Sequence, residues 1–374
     1  MESKRVNMDW ALKIAARWLA VLVLIFPIRS YGQEKDWQQA WNTILAAARK
    51  EGKVVVAGPP DPAVRQEIPA RFKARFGIAV EYVAGGRGGE DARRLKIERD
   101  AGIYTMDVYF GGASTTSVFY QEKMLDPIRP LLILPEALDP TKWKKGKPVF
   151  SDPEGSYALR MLSYARPLFN INTDFAKPEE FKSMKDLLNP KWKGKISAFD
   201  PTVSGSGVFN VAQYHQQFGE DFIKRLYVDQ KPAFSRDFRQ IADWLARGTH
   251  PISLDLFDAY AEELKKDGFH VHTVLSLPDI AGRVASGLGE MVLLNKAPHS
   301  NAARVFVNWI ASKEGMEVYA RSYGSAPMRN DIDESFLPPY LIPRPGVNYF
   351  DTGSWEFLAA VEKTRLRIKD LLGK

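Results

Sequence analysis

Three rounds of strand, glycine-bearing loop and helix occupy the first third of this chain, and that alternation restricts the fold more than composition does. Residues 53–57 read Lys-Val-Val-Val-Ala, an apolar run that enters the turn Gly58-Pro59-Pro60. Asp61-Pro62 then offers an N-cap followed by proline at the first helical position. Behind it Val64, Ile68, Phe72 and Phe76 recur every fourth residue, and Pro69 predicts a kink or break in that helix. Residues 79–84 and 107–110 repeat the strand pattern. They lead into Gly85-Gly86-Arg87-Gly88-Gly89 and Gly111-Gly112-Ala113-Ser114-Thr115-Thr116, each of which opens a helix (90–101, and onward through 123). Such alternation predicts an α/β fold with a parallel sheet covered by helices. Ligands of these sheets sit beyond the carboxyl ends of the strands. Gly58, Pro59, Arg87, Gly112 and Ser114 are therefore candidate site residues by position.

A later stretch carries the same logic further. Residues 196–207 read Ile-Ser-Ala-Phe-Asp-Pro-Thr-Val-Ser-Gly-Ser-Gly. The apolar start is a strand, which Pro201 ends because proline cannot donate to a ladder. Residues 208–217 then read as a helix. Thr202, Ser204, Gly205 and Ser206 lie between them, so backbone N–H groups and hydroxyls converge at the positive end of a helix dipole, an arrangement suited to an anion. The same residues also fit an ordinary capped helix.

The 374 residues suit two domains. Net charge is +7, of which the first 32 residues hold about three, so the remaining excess is too mild to argue for nucleic acid. The chain lacks cysteine, which excludes disulfides, thiolate catalysis and cysteine metal sites. A basic start, an apolar run over residues 18–28, and Ser30 and Gly32 at small-residue positions predict a secretory leader over residues 1–32, and thus an exported protein.

Along the rest of the chain, residues 36–51 predict an amphipathic helix capped by Asp36, and 178–188 another helix. Residues 158–172 form a long mixed extended stretch suited to carrying the chain into a second domain. His270 and His272 share a strand face without a third metal ligand at motif spacing. The sequence has no nucleophile elbow, zinc-protease or phosphate-loop motif, and residues 85–89 miss the dinucleotide glycine spacing. No catalytic residue, metal or cofactor is predicted. Arg87, Arg236 and Arg329 stand beside loops, where each could clamp a carboxylate, phosphate or phosphonate or simply be solvated. Tyr109, Phe257 and Tyr260 read either as core or as ligand platforms.

In their order along the chain, several stretches resemble the family 1 extracellular solute-binding proteins of bacterial ABC importers, in the branch of ferric-ion and organic-anion binders. They are residues 41–58, Arg87-Gly-Gly-Glu, residues 107–114, 199–207 and 232–255, Ala297-Pro-His-Ser-Asn, and Ser325-Ala-Pro-Met-Arg-Asn-Asp. The resemblance implies a type II periplasmic-binding fold: two α/β lobes joined by two crossover strands, with the ligand in the cleft. Lobe one would take residues 33–157 and 283–325, and lobe two 158–282 with the tail, 326–374. It implies a monomer in the periplasm that passes a small molecule to a membrane permease, with Asp255 and Tyr260 joining the ligand-binding set. Ferric members carry two adjacent tyrosines near residues 256–260. This chain has Phe257-Asp258 there, which favours a small anionic or zwitterionic solute over iron. A periplasmic enzyme and a ligand-presenting sensor module are the alternatives on the same fold.

Overall fold

The computed structural model describes residues 28–85, 88–203, 205–344, 346–347 and 349–373. Arg87, Ser204 and residues 1–27 of the predicted leader lie outside the described residues.

The chain begins with α1 (Ile28–Glu51), β1 (Lys53–Gly58), α2 (Pro62–Phe76), β2 (Ala79–Ala84), α3 (Gly88–Asp100), β3 (Val108–Gly111) and α4 (Ala113–Gln121). β1 lies between β2 and β3 and runs parallel to both. Its side chains alternate between two cores. Val54 and Val56 join Phe72, Phe306 and Trp309 on one face, while Val55 and Ala57 join Leu95 and Phe119 on the other. A central parallel strand buried on both faces needs a continuous apolar run, which Val-Val-Val-Ala supplies.

Short elements follow: β4 (Leu125–Asp126), α5 (Pro135–Leu138) and β5 (Val149–Phe150). Next, β6 (Leu159–Arg160), β7 (Tyr164–Arg166) and β8 (Phe169–Asn172) put one strand into each of three sheets. The second lobe contains β9 (Ile196–Phe199), α6 (Ser206–Lys224), β10 (Ala233–Ser235), α7 (Phe238–Ala246), β11 (Ile252–Ser253), α8 (Asp258–Lys266) and β12 (Val271–Val274). Its sheet order is β10-β9-β11-β8-β12, with β8 antiparallel to both neighbours. The return runs through β13 (Arg283–Ala285) and β14 (Glu290–Leu294) to α9 (Ser300–Ala311) and α10 (Lys313–Tyr323). β14 enters the first sheet between β3 and β6. Finally β15 (Phe350–Asp351) pairs parallel to β13, and α11 (Trp355–Leu371) packs on α6. Two crossing strands, β7 and β13, thus pair antiparallel between the lobes, and the tail adds a third strand that the sequence reading did not foresee.

Other expectations need correction. The first helix starts at Ile28, upstream of Asp36; Gln33, Glu34 and Lys35 are good helix formers that continue it. Pro69 does not end α2. Asp61 caps that helix through the N–H groups of Ala63 and Val64, and Gly77 closes it in the left-handed conformation at φ 74°. Residues 178–188 form two 3₁₀ turns instead of a helix. The start of the tail belongs with the first lobe: Met328 and Ile332 are buried in its core, and the Met328 N–H donates to Met161 O at 2.7 Å.

Arg329 moves with them and is fully buried. Its Nε and Nη2 donate to the two carboxylate oxygens of Asp331, both at 2.9 Å, and its Nη1 donates to Glu136 O and Ala311 O. A guanidinium so committed anchors the first lobe and does not reach a ligand. We expect Arg329→Met to lower unfolding stability by about 3–5 kcal/mol in urea titrations, with ligand affinity of the folded fraction unchanged.

Candidate ligand-binding cleft

A cleft of about 480 Å³ opens where the two lobes meet the crossing strands. Each part of the fold contributes one wall. From the first lobe come Gly112, Ala113 and Ser114 at the start of α4. From the second come Gly205, Ser206, Phe209 and Asn210 at the start of α6, with Phe238 and Phe257 beside them. Tyr164 and Arg166 of β7 face Arg283 and Ala285 of β13 at the crossing, and Ser286, Tyr323 and Thr352 complete the rim.

Both helix starts lack a side-chain cap, since Gly112 and Gly205 hold the N-cap positions. Their first N–H groups are left for whatever occupies the cleft. Gly205 takes φ 143°, a region that favours glycine. At Gly207 a Cβ would sit 2.3 Å from Phe199 O, so only glycine lets α6 start this close to the end of β9. Among the described residues the buried Ser206 hydroxyl has no hydrogen-bond partner.

The strongest feature is electrostatic. Arg166 and Arg283 are directly opposite each other across the antiparallel β7–β13 pair. Like charges in that position repel. Arg283 is 4% exposed, and burial together with the Arg166 charge pulls its guanidinium pKa down. Its Nη2 donates to Pro167 O, while its Nε has no partner among the described residues. Arg166 is half-buried, and its Nη1 donates to Tyr164 Oη at 3.3 Å. Among the described residues neither arginine has a carboxylate oxygen within 4.0 Å. The nearest compensation is at longer range, from Asp255 and Asp258.

Of the sequence-predicted set, Gly112, Ser114, Gly205 and Ser206 come together in this cleft. The other described members of that set do not line it. Gly58 and Pro59 end β1 against Tyr82, whose hydroxyl donates to Pro59 O at 2.9 Å. Thr202 donates its backbone N–H and its hydroxyl to Asp200. Arg236 is taken by the same carboxylate, with Nε and Nη2 each 3.0 Å from Asp200 Oδ2. Tyr260 packs on Phe238 in a satellite core. Asp255 lies behind the wall, accepting from Phe199 N–H and from the Asn210 amide. Sequence reasoning missed Arg166, Arg283, Tyr164 and Asn210. One signal was available: Arg166 is a charge within the mixed extended stretch suited to carrying the chain into a second domain, two residues from Tyr164 and so on the same strand face. Its pairing with Arg283 is a matter of register that no local pattern carries.

His270 is exposed and pairs with Asp174 at 2.8 Å. Among the described residues no group of three His, Cys, Asp or Glu side chains is placed to hold a metal ion, and no helix is long and apolar enough to cross a membrane.

A family model described as bacterial extracellular solute-binding protein matches residues 67–339, well over half of the chain. The chain belongs to this family. This solute-binding protein is 25% identical over 292 residues to an uncharacterized protein of Haemophilus influenzae, covering 74% of this chain and 77% of that one. Its fold is similar to that of iron-bound HitA from Pseudomonas aeruginosa, with TM-score 0.65 and 17% identity over 85% of this chain and 99% of the other. It is also similar to the periplasmic binding protein AfuA from Actinobacillus pleuropneumoniae, solved with fructose-6-phosphate, with TM-score 0.61 and 20% identity over 85% and 98%. The type II periplasmic-binding fold, with its ligand cleft between lobes, is thereby established.

The carboxyl beneath the cleft gives a pH signature. Burial pushes Asp255 from the ordinary 3.8 up to about 6, against the pull of Arg283 and of the Phe199 N–H. Between those values the folded state retains a proton that the unfolded chain has released. This contribution is present at low pH and lost as pH rises through about 6. Urea midpoints of wild type and Asp255→Asn, measured from pH 4 to 7, should therefore diverge, wild type losing up to about 3 kcal/mol relative to the variant.

Proposed function

We propose that this solute-binding protein is the periplasmic receptor of an ABC importer. In this reading it captures a small anionic or zwitterionic solute between its lobes and delivers it, as a monomer, to a membrane permease. Residues 1–32 serve as a cleaved leader, and the chain itself does no chemistry. Family membership supports the transport role. The charge of the solute rests on one observation: two arginines face each other in the cleft, neither with a carboxylate oxygen within 4.0 Å among the described residues.

Magnitudes favour the same reading. A helix N-terminus contributes about 0.3–2 kcal/mol toward an anion, so the two that converge here fall short of the roughly −8 kcal/mol of a micromolar complex. Hydrogen bonds from a charged guanidinium add about 1.5–3 kcal/mol each, and two arginines make up the difference. An iron site is less well supported, because Phe257-Asp258 stands where adjacent tyrosines would be needed.

The test uses protein unfolded and refolded to strip carried-over solute, then heated with inorganic phosphate, phosphonates, sugar phosphates, dicarboxylates, neutral sugars or ferric ion. An anion at 100 times its Kd should add about 2.7 kcal/mol, a rise of a few degrees in Tm, and Arg283→Met should abolish that rise. Stabilisation by neutral sugars alone, or by ferric ion alone, would overturn the anion assignment.

A further inference from the structure

We infer that the solute is a planar ring carrying an acid group, with the acid on Arg166 and Arg283 and an aryl or heteroaryl ring laid against Phe257. This rests on the anion reading above and narrows it.

Phe257 is 39% exposed although it faces the cleft beside buried neighbours. It ends a row of rings. Phe199 stacks on Phe238 with centroids 4.7 Å apart and planes at 29°, and Phe238 meets Phe257 at 5.9 Å and 38°. Among the described residues no other ring packs on Phe257, so the row stops at the cleft with an aromatic surface still accessible. Phe257 also holds the N-cap position of α8, which fixes its backbone. Arg166 and Arg283 line the same cleft as this ring.

Polyol anions and bare inorganic anions fit this surface less well. A polyol would present hydroxyls to the apolar face of Phe257, and among the described residues the side-chain acceptors lining the cleft are hydroxyls and the Asn210 amide oxygen, with no carboxylate. A cleft of about 480 Å³ also far exceeds a bare oxyanion, one water claiming only about 30 Å³ of the liquid. A flat ring covers exposed apolar area and gains the offset-stacked geometry that aromatic pairs prefer.

Titration calorimetry on the refolded, ligand-free protein tests this with matched pairs: phenyl phosphate against glycerol 3-phosphate, and benzoate against cyclohexanecarboxylate. In at least one pair the aryl member should bind about tenfold more tightly. Phe257→Leu should weaken that aryl probe roughly two- to tenfold and leave its partner unchanged, whereas Phe257→Tyr, which keeps a ring, should retain the preference. Arg283→Met should weaken both members, and Tm values of the variants without probe report whether each still folds. Equal or tighter binding of the non-aromatic members, still dependent on Arg283, would overturn the ring and leave the anion reading standing. Binding insensitive to Arg283 would overturn both, and failure of both aryl probes to bind at millimolar concentration would overturn the ring assignment.

Discussion

Two guanidinium groups set opposite each other on neighbouring strands repel, and much of the cleft can be understood as the setting that holds them there. β7 and β13 are the crossing strands, so Arg166 and Arg283 belong to neither lobe. Cross-strand pairing fixes their spacing, while the two lobes bring helix N-termini toward the same volume from opposite sides. Asp255 and Asp258 offset this positive field only at longer range. A fold that tolerates this concentration of charge gives up some stability, since cross-strand like charges are destabilising where opposite charges would help.

Support for this arrangement lies beneath the first-lobe wall. Glu290 is fully buried on β14. It accepts hydrogen bonds from Thr116 Oγ1 at 2.6 Å, Ser151 Oγ at 2.8 Å and Ser286 Oγ at 3.2 Å. Arg160 stands 3.9 Å from Glu290 and pairs with Asp351 of the tail strand at 2.6 Å. One carboxylate thus ties the helix that starts at Gly112, the rim residue Ser286 and the sheet into one polar network. Burial raises the Glu290 pKa, and Arg160 with the three hydroxyls opposes that rise.

How legible all this was in the sequence depended on how local each signal was. The β-loop-α rounds and the glycine loops at Gly112 and Gly205 could be read because strand, turn and cap patterns are confined to a few neighbours. Family resemblance supplied the two-lobe architecture. The arginines beside loops misled, because a cation's role depends on which carboxylate folds against it: Asp200 takes Arg236 and Asp331 takes Arg329. Arg166 and Arg283 were overlooked because more than a hundred residues separate them and only the register of β7 on β13 joins them. Phe257 presents the reverse case, a ring that sequence alone could equally assign to the core.

The place of β14 in the first sheet bears on when the protein can acquire its shape. This strand fills the gap between β3 and β6, yet it is not made until residue 290. Until then the early strands cannot close into one sheet, and the inner edges of β3 and β6 have nothing to pair with. Contacts between residues so distant in sequence form slowly, since loop closure must precede the gain from pairing. The topology defers completion of the first lobe until most of the polypeptide is available. The same wait leaves unpaired strand edges exposed, the feature that makes partly folded chains prone to associate.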